Sequence, residues 1–206
     1  MAGVRVGVLG GTFDPPHLGH LILAQEAYQA LGLTQVLFVP AGEPWRKAGR
    51  ELSPREHRLA MLRLAVADNP AFAVSTAEVD RPGPSYTAET LAELRAQLGP
   101  EREIFFIMGA DSLADFPHWH QPLRILELAR LAVAERSPVG DEGFEEGIPE
   151  ELAEDLRGRV VWLTMPLITI SASAVRQRVR QGLSIRYWVP EAVEQYVRRH
   201  GLYASE

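Results

Sequence analysis

The 206 residues, 46% of them hydrophobic and 23% charged, have the balance of an ordinary soluble globular chain, long enough for one ample core. The absence of cysteine excludes disulfides and thiolate zinc sites, and a net charge of −6 argues against general nucleic-acid binding while leaving room for a local basic pocket for a small anion. No apolar run reaches the ~18 residues of a membrane span and no secretory pattern precedes the first strand, so the expectation is a cytoplasmic enzyme without membrane contact.

Val4, Val6, Val8 and Leu9 read as a buried strand ending in Gly10-Gly11, where missing side chains let the backbone approach a ligand closely. Thr12-Phe13-Asp14 leads to Pro15-Pro16, which fit just before or within the first turn of a helix. That turn carries His17 and His20 on one face, and Gly32 ends the helix. A helix N-terminus offers unpaired N–H groups and positive potential, which suit phosphate. Two imidazoles there can donate hydrogen bonds to charge building on a phosphoryl oxygen. Taken alone, H-x-x-H is also a capping pair or two zinc ligands; the flanking glycines favour phosphate.

Residues 35–40 form an apolar strand of the kind buried in a parallel sheet. In the loop 41–50, Arg46 and Lys47 can close over phosphates, and Arg50 reads as solvated. Ser53-Pro54-Arg55-Glu56 is a capping box opening a helix to Val66, with Leu59, Leu62 and Val66 on one face and His57 on the surface. Residues 71–79 alternate like a strand. A turn over 81–87 enters a helix stopped by Gly99-Pro100, with Ser85 or Thr87 as its cap.

Residues 103–108 are another buried strand, ending in Gly109-Ala110-Asp111. A carboxylate just past a parallel strand suits ribose hydroxyls, or caps the helix that follows. Phe116–His120 reads as loop, and His118-x-His120 lacks an acidic or cysteine partner for a metal. A helix over 123–128, a strand over 131–134, a glycine- and acid-rich surface excursion over 137–148 and a strand over 160–163 follow. Then Ser171 or Ser173 caps a helix to Gln181, and the N–H groups, hydroxyls and Arg176 make a second phosphate cradle. Arg178 and Arg180 face solvent, and a last helix spans 190–200.

Alternating strands and helices imply an α/β fold: a Rossmann-like, doubly wound parallel sheet with helices on both faces, in one domain over 1–206 with a helical portion from about 171 packed on it. Both phosphate motifs can then meet at the carboxyl edge of the strands, at the switch point. No P-loop or G-x-G-x-x-G spacing is present.

The string G-G-T-F-D-P-P-H-L-G-H resembles the signature of the H-x-G-H nucleotidyltransferase superfamily, and more closely the bacterial nicotinate mononucleotide adenylyltransferases. Further matches follow in order: a lysine on the loop at Lys47, Arg58 with Met61, S-Y-T at 85–87, G-x-D-S at 109–112 with a tryptophan at Trp119, and I-S-A-S-A-V-R at 170–176. In the last, Ala172 and Ser173 replace the usual serine and threonine, and Ser173 keeps the hydroxyl.

The resemblance implies transfer of AMP from ATP to nicotinate mononucleotide, giving deamido-NAD and pyrophosphate. It implies His17, His20 and Arg176 as catalytic, and Gly10, Gly11, Gly109, Asp111, Ser171 and Ser173 with them at ATP. It implies Thr12, Phe13, Lys47, Tyr86, Thr87 and Trp119 at the acceptor, and Mg²⁺ brought with the nucleotide. The partners implied are these small molecules, with a homo-oligomer left open. The alternatives are another adenylyltransferase of the superfamily, acting on nicotinamide mononucleotide or phosphopantetheine, and a nucleotide sensor without catalysis.

Overall fold

Strand β1 (Arg5–Gly11) is paired on both edges, in parallel, with β2 (Gln35–Pro40) and β4 (Glu103–Gly109). The computed structural model describes residues 3–44, 52–134 and 150–204. Beyond β2 lies β3 (Phe72–Val74); beyond β4 lie β5 (Arg130–Ala134) and β6 (Val160–Leu163), giving the order β3-β2-β1-β4-β5-β6. Every pairing is parallel. The chain first winds outward from β1 through β2 to β3, then returns to the other side of β1. That reversal puts the switch point between β1 and β4, where a doubly wound sheet opens a crevice at its carboxyl edge.

Alternate strand residues feed two cores. On one face Val8, Phe106, Met108, Leu131 and Val133 pack with α4 (Thr87–Leu98), α6 (Pro122–Leu128) and α7 (Glu150–Leu156). On the other, Leu9, Phe38, Phe105, Ile107 and Ala132 pack with α1 (Leu18–Ala30) and α2 (Arg55–Val66). A third cluster joins Met61 and Ala65 of α2 to Val175 of α8 (Ala172–Arg180) and to Val193 and Val197 of α9 (Glu191–Arg199). The C-terminal helices are thereby seated on α2.

Several expectations change in local detail. Only 72–74 of the alternating stretch 71–79 pair as strand. Ala77–Asp80 is a single helical turn, α3, because Ser75 Oγ takes the Ala77 N–H and Thr76 Oγ1 donates to Asp80, local bonds that displace the ladder. The box at Ser53 does not close: Pro54 is the N-cap of α2, and the Ser53 N–H turns to Asp14 instead. Tyr86, not Ser85 or Thr87, occupies the cap position of α4, since the Ser85 hydroxyl is spent on the Gly42 N–H. Gly109, not Asp111, caps α5 (Ala110–Ala114), and Phe116–His118 is a 3₁₀ turn rather than loop. His57 is not an idle surface residue: Nδ1 lies 2.9 Å from the Tyr196 hydroxyl of α9. Arg178 sits over the Trp188 ring at 4.5 Å instead of facing solvent. Lys47, Arg46, Arg50 and the 137–148 excursion lie outside the described residues.

Candidate active site

The end of β1 is shaped by what its glycines leave out. A Cβ on Gly11 would stand 3.1 Å from the Phe13 ring, which is buried against Phe38 and meets His20 edge-on at 5.0 Å. Gly10 is exposed, and a Cβ there would only touch the Phe106 ring at 3.6 Å. The bend that follows is anchored by its carbonyls: Gly11 O accepts from Ala41 N–H (2.9 Å), Thr12 O from Arg58 (3.1 Å) and Asp14 O from Arg176 (2.6 Å).

His17 is the N-cap residue of α1 and His20 its third residue. Their rings stack at 3.7 Å. The His17 N–H donates to His20 Nδ1 (3.1 Å), so neutral His20 carries its proton on Nε2. His17 is buried, its Nδ1 has no hydrogen-bond partner, and desolvation lowers its pKa to about 4. Gly19 makes this stack possible, because a Cβ there would meet His17 Nδ1 at 3.0 Å and Ile168 at 3.2 Å. The helix end is less open than its sequence suggests. Leu18 N–H donates to Trp188 O and His20 N–H to His17 O, so these two N–H groups are already engaged.

Two cavities flank this stretch. One, of about 150 Å³, is lined by His17, His20, Gly109 and the segment Met165–Ile168. The other, of about 240 Å³, is lined by Gly10, Gly11, Thr12, Thr87, Glu78, Ser85, Phe106 and Trp119. Trp119 stands edge-on to Phe106 at 5.9 Å, and its buried Nε1 has no hydrogen-bond partner. Tyr86, between the lining residues Ser85 and Thr87, stacks on His120 at 4.2 Å, a contact the sequence position of His120 did not reveal. Ser171 Oγ caps α8 through Ala174 N–H (3.2 Å), and Ser173 Oγ accepts from Arg176 (3.4 Å). Both serines and Asp111 are exposed at the edge of the site rather than within either cavity.

Two further residues organise the second cavity. Arg58, 2% exposed, donates to the carbonyls of Ser53, Thr12, Ala41 and Gly42. Burial lowers its pKa and the nearby Asp14 opposes that shift. Glu78 accepts from Thr90 Oγ1 (2.7 Å), and burial raises its pKa, with the Thr90 and Ser85 hydroxyls and Arg81 acting the other way. The sequence signal for Arg58 is the resemblance that pairs it with Met61; the structure buries Arg58, Met61, Leu62, Ala65 and Val66, and leaves Leu59 only half-buried. Glu78 has no such signal, because the alternation over 71–79 predicts a strand where the structure forms α3.

The cytidylyltransferase-like family model matches residues 8–178, which span the bend after β1 and most of α8. A probable nicotinate-nucleotide adenylyltransferase of Thermomicrobium roseum is 50% identical over 203 residues, covering 98% of this chain and 92% of that protein. The chain belongs to the nicotinate-nucleotide adenylyltransferase family. A second member, from Roseiflexus sp., is 49% identical over 98% of this chain and all of its own length. Among solved structures, Plasmodium falciparum nicotinic acid mononucleotide adenylyltransferase complexed with APC aligns with a TM-score of 0.75 at 16% identity. The alignment covers 97% of each chain, and the fold is therefore shared with this family member.

Proposed function

We propose that the chain works as one nucleotidyltransferase domain transferring AMP from ATP to nicotinate mononucleotide, releasing pyrophosphate and forming deamido-NAD. The observation that carries this reading is a stacked, tautomer-defined histidine pair at the mouth of one cavity, with an aromatic, partly polar cavity on the other side of the same glycine bend. Family relatives named for this reaction support it.

A phosphate monoester is already an anionic nucleophile near neutral pH, so in-line attack on the α-phosphate needs no general base. Positioning and charge stabilisation suffice. His20 Nε2–H, with its tautomer set by the His17 N–H, donates to the α-phosphate as charge builds there, and His17 stands beside it. Arg176, Ser171 and Ser173 hold the leaving β- and γ-phosphates, while Gly109 and Asp111 lie toward the nucleoside. Thr12 and Phe13 N–H groups hold the acceptor phosphate, with Lys47 over it. Tyr86, Thr87 and Trp119 hold the ring.

Among the described residues no group of three His, Asp or Glu side chains is placed to hold a metal ion. Mg²⁺ would come with the ATP substrate and offset triphosphate charge. None of the described helices is long and apolar enough to cross a membrane.

Ring selection follows from chemistry. A pyridinium stacks on the face of an indole with a cation–π component, and a helix start favours a carboxylate over a neutral amide. Pyrophosphate release measured with ATP and a panel of acceptors tests the whole assignment. Nicotinate mononucleotide should be preferred, and Trp119→Ala should weaken every pyridine acceptor. Equal or better use of nicotinamide mononucleotide, or turnover of phosphopantetheine alone, would overturn it.

A further inference from the structure

The bend from Thr12 to Asp14 is held from a part of the chain that the phosphate motifs do not include. Asp14 is 1% exposed, and both of its carboxylate oxygens are engaged: Oδ2 accepts from Ser53 N–H (3.2 Å) and Oδ1 from the Tyr203 hydroxyl (2.6 Å). Tyr203 lies in the turn after α9, fixed by Gly201 N–H on Arg198 O and Leu202 N–H on Val197 O. Its φ of +65° is the left-handed region, which a residue with a Cβ adopts at a cost and which its surroundings must enforce. The ring packs in the cluster of α2, α8 and α9, with its hydroxyl 3.9 Å from Met61 Sδ. Burial and the neighbouring Asp14 both push the phenol pKa upward, so the group stays a donor.

The peptide groups on either side of Thr12 are trans, which sets each C=O and the N–H of the next residue pointing opposite ways. With Gly11 O taken by Ala41 and Thr12 O taken by Arg58, the N–H groups of Thr12 and Phe13 are turned away from those anchors. Phe13 itself has a φ of +50°, a conformation that persists only if the bend is held on both sides. Arg58 and Ala41 hold it before Phe13; Tyr203, Ser53 and Arg176 hold it after.

We propose that Tyr203 is a positioning residue for the acceptor: through Asp14 it fixes the bend that presents the Phe13 N–H to the phosphate of the mononucleotide. This rests on the proposed function in one respect, that the bend meets the acceptor phosphate. The test compares Tyr203→Phe with wild type in steady-state assays of pyrophosphate release, varying each substrate. The KM for nicotinate mononucleotide should rise about 5- to 20-fold, the scale of one hydrogen bond, with kcat and the KM for ATP within about twofold. Thermal melts read binding independently: the midpoint shift given by nicotinate mononucleotide should shrink in Y203F, while that given by ATP persists. Asp14→Asn and the double variant complete a cycle, in which the two effects on acceptor KM should be strongly non-additive.

Equal rises in both KM values would mean general loosening and would overturn the proposal, as would additive effects or unchanged acceptor binding. A wild-type protein stabilised by nicotinate mononucleotide but inactive on it would fail the reaction, while the melts still judged the clamp. A wild-type protein neither active on it nor stabilised by it would remove both.

Discussion

His20 is constrained through one nitrogen, and in the proposed reaction it acts through the other. Because Nδ1 already accepts from the backbone, the ring cannot turn or change tautomer without losing that bond. His20→Ala should lower kcat by roughly 10²–10³-fold, the scale of one preorganised donor, with a much smaller change in ATP affinity. A near-normal kcat would make the pair a helix cap and nothing more. His17 carries a different consequence. Its pKa is about 4 when folded, against 6.5 for an unburied imidazole. The unfolded chain therefore binds the extra proton between these values. The stability contribution is complete above pH ~6.5 and is lost as pH falls toward ~4, amounting to about 3 kcal/mol. Unfolding midpoints followed over that range should fall more steeply for wild type than for His17→Asn.

At the scale of elements, the loop carrying Ala41 and Gly42 meets α3 and the S-Y-T turn through its own backbone at Gly42. A Cβ on Gly42 would lie 2.2 Å from Glu78 O, and the Gly42 N–H donates to Ser85 Oγ (3.0 Å). Gly42→Ala forces main chain apart where no side chain can yield. It should cost about 1–3 kcal/mol in denaturant unfolding and raise the KM for the acceptor more than that for ATP. This contact also marks where the sequence stopped being readable. The strands β1, β2, β4, β5 and β6 were legible because continuous apolar runs have one good use in a parallel sheet. The glycine bend and the placing of both histidines at the start of α1 were legible from local chemistry. The contacts of Arg58, Glu78, His120 and Tyr203 were not, because each meets partners brought close only by the fold. The first turn of α1 shows the converse error: its N–H groups looked available, and Trp188, 170 positions along the chain from Leu18, supplies an acceptor that sequence spacing could not show.

For the whole molecule, the sheet order places the earliest strand in the middle, so β1 gains its second neighbour only when β4, about a hundred positions later, is in place. The bend beside it waits longer still, since the bonds from Arg176 and Tyr203 to Asp14 span 162 and 189 positions. Contacts of such separation are slow to close, whereas helices form locally and early. Recovery of adenylyl transfer should therefore lag behind recovery of the far-ultraviolet helical signal when denatured protein is diluted into buffer; simultaneous recovery would show that the bend is shaped before its distant anchors arrive. The same arithmetic bears on synthesis. A ribosome delivers Asp14 189 positions before Tyr203, so over that span a growing chain holds the glycine bend and its histidines without the means to set them. Competence then comes late, and within a short span of added residues, rather than accumulating with length.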